Sequence, residues 1–172
     1  DIILDEAGIL WVVQGNQLSK HLNQGFDFES YPLPDSLISN QIISCFVDSR
    51  KSQAIIGAMG DFLLLDLKTG KYRSTGWRQY VRNQIPLFKP LLQGNSIIPK
   101  SVDEYWLLAT NGLFSYSTKT HLFNYYPSDL IREFQGLSLY TSVHNKLWMG
   151  SYNNGIVAFD IKSKTWKSWL LP

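Results

Sequence analysis

The sequence predicts an all-β fold: about four four-stranded antiparallel β-propeller blades, forming part of a larger propeller. Three observations predict it. The chain carries a four-fold internal repeat, its apolar runs are short and bounded by turn residues, and its composition favours strands.

The repeat comes first because it sets everything else. Trp11, Ile55, Trp106 and Trp148 occupy one position, spaced 44, 51 and 42 residues apart. An aromatic closes each unit 15 to 18 residues later, at Phe26, Tyr72, Phe123 and Trp166. Units of roughly 40 to 50 residues with four short strands each are the signature of propeller blades. The blades span approximately residues 1–31, 38–76, 95–126 and 136–170, so residues 1–172 form a single propeller-repeat region.

The second unit shows the strands best. Gln41 to Val47 is apolar and ends at the turn Asp48-Ser49-Arg50-Lys51. Ala54 to Met59 follows, then Gly60-Asp61, Phe62 to Leu67, the turn Lys68-Thr69-Gly70, and Lys71 to Ser74. Turn residues punctuate short apolar runs throughout, and no helical period is predicted. Unit one has only a stub of a first strand, Ile2 to Leu4. Asp5, Asp48, Asp103 and Asn145 recur before each second strand, as residues that cap their own turns.

Composition agrees. Aromatics make up 14% and charged residues 17%, which excludes a disordered chain and leans towards strands. A formal charge of +2 gives no support to nucleic-acid binding. Cys45 is the sole cysteine, excluding an intramolecular disulfide, and it reads as a small buried hydrophobe. No apolar run nears the roughly 20 residues needed to span a bilayer, so no membrane contact is expected of this segment. The chain begins at Asp1 with neither a Met nor a signal-peptide pattern, and the expectation is a piece of a longer protein.

The run Leu147-Trp148-Met149-Gly150-Ser151, continuing to Asn154-Gly155-Ile156, resembles the Leu-Trp-Ile-Gly-Thr…Gly-Gly-Leu core of the two-component regulator propeller repeat. Asp160 to Trp166 and Leu67 to Tyr72 are similar to its Asp-Pro-Lys-Thr-Gly-Lys-Phe turn. Ile38 to Ser44 resembles the segment that starts each of its inner strands. Ile55 and Leu108 depart from the pattern, standing where Trp and Gly are expected. The resemblance implies the periplasmic sensor region of a bacterial hybrid histidine kinase regulator, in an inner-membrane-anchored parent. It implies a non-catalytic segment that senses a carbohydrate. The alternative is an interaction scaffold whose blade edges pair with another chain, a second copy, or the remaining blades of the parent.

Catalytic and metal-binding patterns are not found. His21, His121 and His144 share no ligand spacing, Asp5-Glu6 and Asp103-Glu104 are adjacent turn carboxylates, and no phosphate or dinucleotide loop is present. No cofactor is implied. Trp11, Trp106 and Trp148 read as packing residues; Trp166 and Trp169 read as covering a blade edge.

One segment invites a site. The longest step, between units two and three, carries Trp77, Arg78, Tyr80, Arg82 and Lys89 in a connection across the disc face. From Leu67 through Val102 there is no Asp or Glu, against seven Lys and Arg. Arginines there could take a carboxylate or sulfate, and aromatic rings a sugar face. The competing reading is a solvated loop whose Trp77 plugs a blade junction.

Overall fold

The computed structural model describes residues 2–22, 25–34, 41–85, 94–110, 112–128, 130, 136–142, 145–151 and 155–169. Its sixteen strands fall into four four-stranded antiparallel meanders. The first comprises β1 (Ile2–Leu4), β2 (Leu10–Gln14), β3 (Gln17–His21) and β4 (Phe28–Pro32). The second comprises β5 (Ile42–Asp48), β6 (Gln53–Ala58), β7 (Asp61–Asp66) and β8 (Lys71–Ser74). The third holds β9 (Gly94–Pro99), β10 (Glu104–Ala109), β11 (Gly112–Ser117) and β12 (Phe123–Tyr126). The fourth holds β13 (Gly136–Thr141), β14 (Lys146–Ser151), β15 (Ile156–Asp160) and β16 (Trp166–Trp169). The all-β blade prediction is borne out, including the stub at Ile2–Leu4.

Strand side chains alternate, so the second and third sheets each bury two faces, whereas the first and fourth bury one. In the second sheet Ile55 and Leu64 face the third, whereas Ala54, Ile56 and Leu65 face the first. Three hydrophobic clusters result, one at each junction. Trp11, Val13 and Leu18 meet Ile56 and Leu63; Ile55 and Leu64 meet Tyr105 and Leu107; Trp106 and Leu108 meet Leu147 and Met149. The first strands β5, β9 and β13 adjoin one another, as the inner strands of successive blades do.

The recurrent acids do more than cap turns. Asp5 accepts from the backbone N–H groups of Ala7 and Ile9, each at 2.9 Å, and also from Trp11 Nε1 at 2.9 Å and from Ser49 Oγ of the second sheet. Asp48 accepts from Lys51 N at 3.3 Å and from the Tyr105 hydroxyl of the third sheet at 3.0 Å. Asp103 instead pairs with Lys51 Nζ at 2.9 Å. Asn145 adopts a left-handed φ of 56°, a turn conformation its short amide tolerates. One set of side chains therefore closes the turns and ties neighbouring blades together.

One expectation fails. The connection after β8 is an α-helix, α1 (Trp77–Gln84), where no helix is predicted. Its apolar residues Trp77, Tyr80, Val81 and the following Ile85 lie at helical spacing and all pack on the core shared by the second and third sheets. Cys45 is half-buried rather than buried, and burial still pushes its thiol up to about 12.

Candidate functional site

In an up-and-down meander, the turn between the second and third strands lies at the end where the fourth strand exits. The α1 connection therefore shares a disc face with the β6–β7 turn. Hydrogen bonds confirm the placement: Thr75 N donates to Phe62 O at 3.0 Å, and Thr75 Oγ1 to the same carbonyl at 2.8 Å. Gly76, at φ 83°, turns the chain into the helix, a conformation that favours glycine. No side chain of the helix's own N-cap accepts from the first turn. Asp61, from the start of β7, supplies a carboxylate there. It accepts from Ser74 Oγ at 2.6 Å and Phe62 N at 2.8 Å, and its carboxylate also meets the backbone N–H of Arg78. Burial pushes Asp61 above the ordinary carboxylate range, although these donors and the Arg78 charge oppose the shift.

The helix sorts the predicted site residues. Trp77 is fully buried, set edge-on against Phe62 at 4.9 Å and Phe114 at 5.7 Å, with its Nε1 lacking a protein partner. It is thus a junction plug and offers no surface to a ligand. Tyr80 is half-buried against Phe123 at 5.3 Å and Phe114 at 6.4 Å, and burial pushes its hydroxyl up. Arg78 and Arg82 are exposed, and their i, i+4 spacing sets them on one side of the helix. Lys89 lies outside the described residues.

The rest of the acid-free stretch goes elsewhere. Lys71 and Arg73 stand exposed on β8, while Lys100 pairs with Glu104 at 3.1 Å and lies 5.1 Å from the Trp106 ring centre. The period-two Lys71-x-Arg73 spacing on a strand was the sequence signal for a second basic group, which the longer connection overshadowed. Among the described residues, no three His, Cys, Asp or Glu stand together as a metal site.

Comparison with known proteins supports the fold. No protein family and no curated protein matches the sequence. Among solved structures, the chain is similar to the extracellular domain assigned to a one-component system, BT4673, of B. thetaiotaomicron. That likeness has 19% identity and a TM-score of 0.68, over 92% of this chain and 21% of that one. It is similar also to the extracellular domain assigned to the hybrid two-component system BT3049 of the same organism, at 17% identity and TM-score 0.71 over 98% and 24%. Virginiamycin B lyase of Staphylococcus aureus superposes with TM-score 0.74 at 16% identity, over 99% and 55%. The chain thus spans about a fifth to a quarter of the extracellular domains it resembles. These likenesses are to extracellular domains and to a lyase, and they define a propeller architecture shared by both. Among the described residues, no helix is long and apolar enough to cross a membrane.

Proposed function

We propose that this chain is a non-catalytic, ligand-sensing propeller segment of a two-component regulator, exposed to the periplasm and recognising a carbohydrate. The observation that carries the reading is the helix on the disc face. It presents Arg78 and Arg82 to solvent over a rigid aromatic base, within a segment holding no carboxylate from Leu67 through Val102. Binding residues carried on such a scaffold are a common use of propeller faces. The fold shared with extracellular domains of one-component and hybrid two-component systems of B. thetaiotaomicron supports the class. A non-catalytic role is favoured because Asp5 and Asp48, both buried, are occupied in holding turns and blades together.

Calorimetric titration with a panel of oligosaccharides tests this. An Arg78→Ala/Arg82→Ala double variant is expected to weaken binding at least tenfold, or about 1.4 kcal/mol. Affinity unchanged in that variant would remove α1 from the account.

A second reading, an interaction scaffold, is favoured by a different observation. The side of the fourth sheet facing away from the third exposes Tyr140, Ile156 and Trp169, with Trp148 half-buried among them. The corresponding side of the third sheet is covered. Concentration-dependent light scattering separates the readings, since a monomer at all concentrations counts against self-pairing.

A further inference from the structure

We propose that a cleft on the second sheet, lined by Lys51, Gln53, Leu64, Lys71 and Arg73, binds a small, hydroxyl-rich molecule carrying a carboxylate. The site is separate from α1 and does not depend on the reading of that helix.

The cleft encloses about 570 Å³. That lies inside the roughly 300–1,000 Å³ typical of small-molecule sites. Its floor follows from strand register. Gln53 pairs with Asp66 and Asp66 with Lys71, while Ile55 pairs with Leu64 and Leu64 with Arg73. Paired residues share a face, and residues two apart on a strand share it too. The sequence Lys71-Tyr72-Arg73 therefore directs two cations to the side facing the third sheet and Tyr72 to the other. Tyr72 duly donates to Tyr31 O of the first sheet at 2.8 Å.

The inner wall is held in place by bonds to the third sheet. Lys51 Nζ donates to the Val102 carbonyl and pairs with Asp103 at 2.9 Å. Gln53 Nε2 donates to the Tyr105 hydroxyl at 3.4 Å. The Arg73 charge also reaches the Tyr116 hydroxyl of the third sheet, opposing the upward push of burial there. Among the described residues the cleft lining is drawn from the second sheet and its turns, and Leu65 and Tyr72 of the other side line it as well.

The charge balance points to the ligand class. Lys51 pairs with Asp103, and Asp66, the one lining carboxylate among the described residues, accepts from the backbone N–H groups of Lys68 at 2.8 Å and Thr69 at 3.0 Å. Among the described residues, Lys71 and Arg73 have no carboxylate partner. A planar guanidinium beside an ammonium suits a carboxylate, which Arg73 can take with two parallel N–H donors. Ser52, Gln53 and Thr69 add short polar groups for hydroxyls, and Leu64 supplies an apolar patch.

The probes are sodium glucuronate and, as the uncharged control, glucose. Titration of the intact chain, followed by amide NMR shifts at constant ionic strength, is expected to show saturable binding of glucuronate centred on β8. Arg73→Ala should weaken it at least tenfold, Lys71→Ala by a few-fold, and Arg73→Lys should restore part of the loss. Arg78→Ala/Arg82→Ala should leave it unchanged. Equal response to glucose, no binding, or loss only in the α1 double variant would each overturn the proposal. Circular dichroism verifies folding, and both replaced side chains are exposed. Failure of the α1 oligosaccharide titration would leave these outcomes untouched, so the two proposals fall separately.

Discussion

At the residue scale, the carboxylate before each second strand decides how the repeat holds together. Asp5 collects two backbone donors, an indole N–H and a hydroxyl of the next blade while itself nearly covered. Burial alone would raise its pKa, but the hydrogen bonds from Ser49, Trp11, Ile9 and Ala7 outweigh it and hold the carboxyl below the ordinary carboxylate range. The sign follows: a depressed folded value means stability fully present above the unfolded value and lost as pH falls through the folded one. Asp5→Asn removes the charge and sets an amide N–H₂ against existing donors. We expect a loss of about 2 kcal/mol at pH 7, the scale of charge-assisted bonds to a buried group. Urea melts at pH 7 and pH 3 check it: the deficit should shrink at pH 3, and an equal deficit at both would refute the assignment. The sequence marked Asp5, Asp48 and Asp103 as turn residues because offset is visible in one dimension. Their bonds to Ser49, Tyr105 and Lys51 join residues more than 40 positions apart, which only the stacking of blades brings together.

At the scale of elements, strands were legible and the helix was not, for one physical reason. A strand announces itself within four to six residues by apolar content and turn punctuation. An eight-residue helix offers two turns, and its stability comes from the core it lands on more than from its own propensity. The spacing Trp77, Tyr80, Val81, Ile85 was nevertheless present. It also explains why two of the four described site residues, Trp77 and Tyr80, turned inward: one side of a helix on a core must be buried, and the aromatics took it. Arg78 and Arg82 remained outside for the complementary reason. Trp77 is accordingly the anchor. Trp77→Ala should cost about 3–5 kcal/mol, as for other large-to-small changes at buried aromatics. Trp77→Phe should cost clearly less, because it keeps an aromatic edge against Phe62 and Phe114 and removes an indole N–H that has no protein partner. Thermal melts of the two variants check the ranking; equal losses would mean that the ring contacts do not hold α1.

At the scale of the whole molecule, stability should follow the number of covered faces. Repeat proteins are nearly one-dimensional: each unit draws on its neighbours, so interior units are protected on both sides and terminal units on one. The second and third sheets are flanked on both faces, whereas Ile2 and Leu4 on the first and Tyr140 on the fourth are about 70% exposed. Two residues at the same repeat position make the comparison direct. Trp106 is 2% exposed and packs against Phe159 of the next sheet at 6.1 Å. Trp148 is half-buried and meets Trp169 of its own sheet at 5.3 Å. Trp106→Ala is therefore expected to cost about 3–5 kcal/mol and Trp148→Ala no more than about half of that. Amide hydrogen exchange should show the same gradient, slowest in β6, β7, β10 and β11 and fastest in β1 and β16. Equal costs at the two tryptophans, or protection of β16 matching that of β10, would mean that the outer side of the fourth sheet is covered in solution. That outcome would favour the interaction scaffold over the free-standing sensor segment. The gradient therefore tests the fold's energetics and decides between the two functional readings.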